Sequence, residues 1–183
     1  YPRLKEQIEL EGVNQLFYEV EMPLVRILFA MEKTGIKVSP EQLSVMQEKF
    51  ARQITELETD IYQLAGEEFN ISSPKQLGEI LFERLGLPVG KKTKTGYSTD
   101  AGVLEELAPL HPIVAKVLDY RGLVKLNSTY VEALLGLAQP PAYLIHMTFN
   151  QAVTATGRLS STDPNLQNIP VRSEAGREIR RCF

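Results

Sequence analysis

The sequence predicts a mainly α-helical protein with a small β portion (α+β): a long antiparallel helical arm with short helices at its tip, followed by a β-hairpin and loop segment. Three observations support this fold class. Apolar residues recur every three or four positions over residues 43–64 and again over 113–134. Ser-Pro pairs at 39–40 and 73–74 are typical helix starts. Residues 143–151 instead alternate apolar and polar side chains, as a strand does.

The first element is a helical run with apolar residues from Val13 to Met31. Pro23 predicts a kink or a restart within it, and Gly35 predicts its end. A second, longer helix should begin at Pro40 and run to Gly66, some 26 residues. Such a one-sided helix needs a partner helix, and residues 113–135 supply the candidate. We interpret Glu56, Glu58 and Asp60 as a solvated face of the long helix.

Between these two helices the sequence predicts a compact tip. Ser73 to Gln76 reads as a capping box that opens a short helix, which Gly86 and Pro88 end. A last short helix should start near Thr99 or Asp100. His111, before Pro112, is expected to cap the partner helix.

The tip also contains the basic stretch GKKTKTG, residues 90–96. It is not a P-loop, because five residues separate its glycines and Tyr97 follows where lysine should stand. A solvated loop is the simplest interpretation, and a phosphate-binding loop is the alternative.

Charge and composition limit the function classes. The chain has 183 residues, 43% of them hydrophobic, and a net charge of −3. Residues 1–69 hold 7 basic and 13 acidic residues, whereas residues 70–183 hold 13 and 10, so a polyanion partner fits the second part better. No apolar run has the roughly 18 residues of a membrane helix. The single cysteine, Cys182, excludes an internal disulfide and is expected to be a small buried residue in a reducing cytosol.

The most informative stretch follows the predicted strand. TATGRLSSTDPNLQNIPVR, residues 154–172, contains one acidic residue, two arginines and three side-chain amides. Gly157 suits a hairpin turn and Asp163-Pro164 a loop.

This stretch resembles the hallmark segment of the family A DNA polymerases, the bacterial DNA polymerase I group. SPKQLGEILFERLGLP, KKTKTGYSTD, HPIVAKVLDYRGLVKLNSTY and FNQAVTATGRLSS are similar, in order, to that family's thumb and palm entry. The resemblance implies three parts: helices connecting from a preceding 3′–5′ exonuclease-like domain (1–38), a helical thumb (39–139, with its tip at about 70–108), and the start of the palm (140–183). It also implies a monomer in the bacterial cytosol or nucleoid, without membrane attachment.

The same resemblance implies that the whole protein is a DNA-directed DNA polymerase that uses Mg²⁺. The family's first metal-binding Asp lies on the strand that follows REIRRCF, and its fingers lie further on. Tyr1-Pro2, with no Met, also suggests a piece of a longer protein. We therefore expect these 183 residues to hold no catalytic residue, metal or cofactor, and to be inactive alone. Their expected partners are primer–template duplex DNA and the rest of the polymerase chain: the fingers, the remaining palm and the exonuclease-like domain.

The expected DNA contacts of the thumb are lysines, hydroxyls and amides that bind phosphates without reading sequence. By resemblance they are Lys91, Lys92, Thr93, Lys94, Thr95 and Ser98 at the tip, and Arg121, Lys125, Asn127, Ser128 and Thr129 in the pattern YRxLxKLxSTY. Asn127 stands where close relatives often carry lysine.

In the palm entry, the resemblance places Arg158 in the minor groove at the primer-terminal base pair. Minor-groove acceptors occupy similar positions in every Watson–Crick pair, so one arginine can check pairing geometry. A salt bridge beside the hairpin is the alternative. The other candidates are Gln151, Thr154, Thr156, Asn165, Gln167, Asn168 and Arg172. For the amides, hydrogen bonds that stabilise the loop are an equal alternative.

Three competing functions remain open from the sequence. One is a stand-alone, sequence-independent DNA clamp, and the second is a helical-arm protein-interaction domain. The third is the related single-subunit RNA polymerase group, which the long match to the hallmark segment disfavours.

Overall fold

The protein is described by a computed structural model that covers residues 2–90, 92–93 and 96–183, without the side chains of Lys92 and Thr93. Helices dominate and the strands are short, which confirms the predicted fold class. The chain divides into two compact units. Residues 41–135 form one unit, and residues 1–40 together with 136–183 form the other.

The elements follow one another in a simple order. The helices are α1 (Pro2–Leu10), α2 (Met22–Thr34), α3 (Pro40–Ala65), α4 (Pro74–Gly78), α5 (Ala101–Leu107), α6 (Pro112–Leu126), α7 (Ala133–Leu137) and α8 (Glu174–Arg180). The strands are β1 (Ile36–Lys37), β2 (Lys92–Thr93), β3 (Gly96–Tyr97), β4 (Leu144–Ile145), β5 (Thr148–Asn150) and β6 (Ser160–Thr162). π-Helical turns occupy Leu16–Glu21, Glu79–Arg84 and Asn127–Glu132, and a 3₁₀ turn occupies Leu166–Asn168.

The long helix α3 has the predicted 26 residues. It ends where predicted, since Gly66 follows with a φ of +77°, a left-handed conformation that glycine adopts without strain. Helix α2 likewise begins beside Pro23 and ends at Gly35, whose φ is +70°.

Helices α3 and α6 run antiparallel, as two side-chain bonds show. The Lys116 ammonium lies 2.6 Å from the Asp60 carboxylate, and the Tyr120 hydroxyl donates to Glu58 at 3.0 Å. The later residue of α3, Asp60, bonds to the earlier residue of α6, Lys116, so the two helices run in opposite directions. None of Glu56, Glu58 and Asp60 is buried, and the Asp60 side chain is 44% exposed, which agrees with a solvated face. That interpretation did not include the partners that α6 supplies to Glu58 and Asp60. Burial, followed by the bond to Glu58, raises the pKa of Tyr120.

The core of residues 41–135 joins the long helices to the tip. Its fully buried side chains include Ile61, Leu77, Leu81, Leu104 and Ile113. The basic stretch is therefore attached to a packed scaffold.

Two half-buried residues at the rim of this core test the helix pairing. Leu57 on α3 and Val124 on α6 both pack against it. We expect Leu57→Ala and Val124→Ala to lower the free energy of unfolding by about 2 and about 1 kcal/mol, because half-buried side chains lose less than fully buried ones. Urea unfolding measures both. The exposed Val45→Ala on α3 is the matched control, and losses under about 0.5 kcal/mol for both test variants would contradict the pairing.

The helix caps confirm most of the predicted starts. Asp100 accepts a hydrogen bond from the Val103 N–H, and His111 Nδ1 accepts one from the Ile113 N–H. Ser73 accepts from the Gln76 N–H, but the Gln76 side chain accepts from the Asn70 N–H at 2.7 Å. The side chain of Gln76 thus ties down the turn before the cap.

In the other unit, helix α2 leads into short strand pairs. Strand β1 pairs with β4, and β5 pairs with β6, all antiparallel. Of the residues of α2, only Leu28 is buried. Among the described residues, no helix is both long and apolar enough to cross a bilayer.

The predicted continuous strand over 143–151 was wrong. Strands β4 and β5 are separated by His146 and Met147, and each pairs with a different partner. His146 leaves the ladder because its Nδ1 lies 2.7 Å from the Glu32 carbonyl oxygen. The alternation itself is present, since Ile145 is buried and His146 is exposed.

Candidate nucleic-acid interface

The described part of the basic stretch pairs as two short antiparallel strands, β2 and β3, which we call the basic hairpin. Lys92 pairs with Tyr97 and Thr93 with Gly96, and Gly96 has a φ of +138°, which only glycine adopts readily. Lys91, Lys94 and Thr95 lie outside the described residues, as do the side chains of Lys92 and Thr93. The expectation that these five residues contact DNA therefore stays a prediction.

The hairpin is anchored through Tyr97. Its ring lies 4.9 Å from the ring of Phe82, centroid to centroid. A Cβ at Gly78 would come within 3.1 Å of the Tyr97 Cβ, so helix α4 passes unusually close to β3. This contact attaches the basic hairpin to the short helices of the tip.

Ser98, a predicted phosphate contact, points inward. It is buried, and its hydroxyl donates to Asp100 Oδ2 at 2.8 Å. Since Asp100 also caps α5, the Ser98 hydroxyl supports the start of that helix.

Arg121 is also engaged within the tip. Nη1 donates to the Thr99 carbonyl oxygen at 2.6 Å, and Nη2 donates to the Ile71 carbonyl oxygen at 3.4 Å. Both nitrogens lie 3.4–3.5 Å from the Thr99 hydroxyl. Burial lowers the pKa of Arg121 from its ordinary value.

The end of α6 presents polar groups to solvent. Lys125 and Thr129 are exposed, and the Ser128 hydroxyl is 3.4 Å from the Lys125 carbonyl oxygen. Asn127 donates to Glu132 at 2.8 Å across the π-helical turn, while its Oδ1 is buried and has no hydrogen-bond partner among the described residues.

In the other unit, Arg158 lies at the turn between β5 and β6. Thr154 Oγ1 donates to the Arg158 carbonyl oxygen at 2.6 Å, and Gly157 turns the chain with a φ of +71°. Thr156 and Arg158 are both exposed. The backbone of this arginine is held while its side chain faces solvent.

Three of the four predicted amides make internal bonds. Gln151 Nε2 donates to Glu21, to its carbonyl oxygen at 3.1 Å and its carboxylate at 2.8 Å. Asn165 Oδ1 accepts from the Gln167 N–H, and Gln167 bridges the Ser161 N–H and the Leu159 carbonyl oxygen. Asn168 is exposed. These bonds fit the loop-stabilising alternative, and a role in DNA contact stays a prediction.

The arginines near the end of the chain divide into two groups. Arg177 pairs with Glu174 at 2.7 Å, and Arg180 donates to the Ile169 carbonyl oxygen at 2.9 Å. Arg172 and Arg181 are exposed. Arg177 and Arg180 thus stabilise α8 and the segment that precedes it. Arg172 and Arg181 are accessible to a polyanion.

Sequence reasoning missed two acidic positioning residues, Glu21 and Glu32. Glu21 holds Gln151, and the Glu32 carboxylate accepts from the Phe149 N–H at 2.7 Å. These partners are 130 and 117 positions apart along the chain, so no local pattern could reveal them.

The described residues contain no group of three or more His, Cys, Asp or Glu side chains able to hold a metal ion. Cys182 is buried, as predicted, and burial together with Glu178 raises the pKa of its thiol. The thiol is therefore protonated at neutral pH, which does not suit a nucleophile.

Comparisons with known proteins agree with the sequence motifs. A family profile described as DNA polymerase family A matches residues 40–183. The chain is 56% identical to DNA polymerase I of Bacillus subtilis (strain 168), over 99% of this chain and 21% of the relative. It is 58% identical to DNA polymerase I of Bacillus caldotenax, over 97% of this chain and 20% of the relative. The chain thus spans about a fifth of the length of these curated relatives.

A solved structure is similar over nearly the whole chain. It is the POL domain of Pol1 from M. smegmatis in complex with DNA primer-template and dNTP, with a TM-score of 0.88 and 43% sequence identity. The similarity covers 98% of this chain and 32% of that chain. With residues 40–183 matched by the family profile and the same fold in a solved relative, the chain belongs to DNA polymerase family A.

Proposed function

We propose that this chain is part of a DNA-directed DNA polymerase and that it holds the primer–template duplex. The observation that carries the proposal is the match of 98% of the chain to a POL domain solved with DNA primer-template and dNTP. A polymerase must hold any sequence with similar strength, so phosphate and minor-groove contacts are the appropriate chemistry.

On the thumb, the proposed phosphate contacts are exposed cations and hydroxyls. Lys125 and Thr129 have the required exposure, and residues 84–99 contain four basic residues and no acidic one. This basic run stands out because the unit around it is acidic, with 10 basic and 14 acidic residues over 41–135. We assign Lys91, Lys92 and Lys94 the main electrostatic role, with Thr93, Thr95, Asn127 and Ser128 as hydrogen-bonding neighbours.

In the palm entry, we propose that Arg158 reaches the minor groove and that Arg172 contacts the backbone. Both side chains are exposed, and the bond from Thr154 to the Arg158 carbonyl oxygen fixes where the arginine leaves the backbone. A backbone that is already held reduces the loop-ordering entropy lost on binding.

The amides serve two purposes in this proposal. Gln167 and Asn165 shape the loop through their internal bonds, and Asn168 and Thr156, which are exposed, face the duplex. Gln151 uses its nitrogen for Glu21, which leaves its oxygen as the group available to DNA.

We place the metal chemistry of nucleotide transfer outside these 183 residues. Several carboxylates of the described part have other tasks: Asp100 caps a helix, Asp60 binds Lys116 and Glu174 binds Arg177. A two-metal mechanism needs paired carboxylates that hold two ions about 3.5–4 Å apart.

The chain alone is therefore expected to extend no primer. The test incubates it with a primed template, Mg²⁺ and the four deoxynucleotides, and follows primer length on a denaturing gel. A complete polymerase of the family serves as the positive control. Primer extension above a buffer control would contradict this division of function.

A further inference from the structure

The base of the tip is held by one side chain. Arg121 on α6 reaches Ile71, which precedes the cap of α4, and Thr99, which follows the basic hairpin. Residues 71 and 99 are the two ends of the segment that contains α4 and the hairpin. A single guanidinium thus ties both ends of that segment to the same helix.

The acceptors of Arg121 are buried backbone carbonyls. Ile71 is 2% exposed and Thr99 is 5% exposed. If Arg121 were removed, both carbonyl oxygens would lose a hydrogen-bond donor, and water could hardly reach them to replace it. Only a guanidinium has donors spread widely enough to serve both, since an ammonium is a compact point charge. The hydrogen-bond partners of the Arg121 guanidinium within the described residues are two carbonyl oxygens and a hydroxyl.

Thr99 is connected to the basic hairpin by a short stretch of backbone. Thr99 is two residues from Tyr97, the last residue of β3, whose ring packs on Phe82. On its other side, Asp100 caps α5. Movement at Thr99 would therefore be transmitted directly to β3 and to the start of α5.

We propose that Arg121 is a positioning residue for duplex binding. Its guanidinium fixes Ile71 and Thr99 on α6, and through Thr99 it fixes the direction in which the basic hairpin leaves the thumb. It acts on the duplex through the hairpin and not through a phosphate of its own. This inference rests on the proposed function of the chain.

The first test needs no DNA. Hydrogen exchange of the backbone amides of residues 96–100 is measured in the 183-residue chain and in Arg121→Lys. This variant keeps the positive charge but loses the spread donors of the guanidinium. Exchange is expected to quicken by about tenfold or more in the variant, because the hydrogen bonds involved are charge-assisted. Lys125→Ala, on the same helix and exposed, is the matched control and should leave these amides unchanged. Unchanged exchange in Arg121→Lys would overturn the proposal.

The second test uses a duplex of random sequence and fluorescence anisotropy. At about 0.1 M salt one phosphate contact is worth roughly eightfold in affinity. Arg121→Lys should weaken binding by about that factor or more, although its charge is kept. The loss should disappear when Lys91, Lys92 and Lys94 are already alanine, since there is then no basic hairpin to position. Full affinity in Arg121→Lys would show that duplex binding does not need the guanidinium, and a loss that adds to the lysine variant would assign Arg121 a phosphate of its own. Either result would overturn the proposal.

A milder variant guards against loss of folding. Thr99→Val keeps the shape and the carbonyl oxygen and removes only the hydroxyl that Arg121 contacts. It should quicken exchange at residues 96–100 and weaken duplex binding by about twofold, in the same direction as Arg121→Lys. If the unaltered chain binds no duplex, the proposed function fails. The hydrogen-exchange measurement still shows, independently, whether Arg121 holds Thr99 in place.

Discussion

Replacing Gly176 with alanine is expected to destabilise the unit that contains α8 by about 3 kcal/mol or more. A Cβ at this position would overlap the carbonyl oxygen of Pro170 and lie 2.9 Å from both the Pro170 carbonyl carbon and the Ser173 hydroxyl. The Gly176 N–H also donates to the Ser173 hydroxyl oxygen at 3.1 Å, the hydrogen bond that caps α8. Because the clash is with backbone atoms, no rotamer change can relieve it.

Urea unfolding measures this loss, and hydrogen exchange of the α8 amides locates it. The control is Gly122→Ala on α6, where the added methyl group meets no atom within 4 Å. Alanine is favoured over glycine in a helix interior, so Gly122→Ala should raise stability by about 0.5–1 kcal/mol. A Gly176→Ala variant within about 0.5 kcal/mol of the original chain would show that the turn before α8 is packed more loosely than described.

Changing Lys91, Lys92 and Lys94 together to alanine should remove most of the binding to duplex DNA. Each phosphate neutralised contributes about 0.9 to the slope of log K against log salt, so the slope should flatten by about 2–3 units. At about 0.1 M salt this corresponds to a loss of up to roughly 500-fold, equal for all sequences. The measurement is fluorescence anisotropy at several salt concentrations.

The control must remove the same charge elsewhere. Lys5, Lys33 and Lys37 are exposed and lie in the other unit, so their joint change to alanine alters net charge equally. It should leave the slope within about one unit of the original. An unchanged slope in the variant of Lys91, Lys92 and Lys94 would make GKKTKTG a solvated loop.

Much of the helical fold could be predicted because its signals are local. The start of α3 at Pro40, its end before Gly66, and the caps at Asp100 and His111 each depend on residues within a few positions. The hairpin turn predicted at Gly157 is also present, with a φ of +71°.

What failed depended on distant partners. The break at His146 arises from Glu32, and β4 pairs with β1 more than 100 residues earlier in the chain. The sequence predicted a solvated face at Glu58 and Asp60 but could not show that α6 supplies Tyr120 and Lys116 to them. Periodicity shows which face of a helix is apolar and says nothing of the polar partners at its edge.

The same distinction applies to the candidate site. Ser98 and Arg121 carry the residue types expected of phosphate contacts, but their donors are directed at Asp100, Thr99 and Ile71. A polar side chain can therefore support the shape of the proposed DNA-binding surface instead of contacting DNA itself. Residue type alone does not separate these two uses.

We propose that the chain holds duplex DNA without reading its sequence. The most direct test is the affinity of the unaltered chain for two duplexes of unrelated sequence, measured by fluorescence anisotropy at several salt concentrations. With four to six phosphates engaged, log K should fall against log salt with a slope of about −4 to −5, and the two duplexes should agree within about twofold. A slope near zero, absence of binding, or a strong preference for one duplex would contradict the claim.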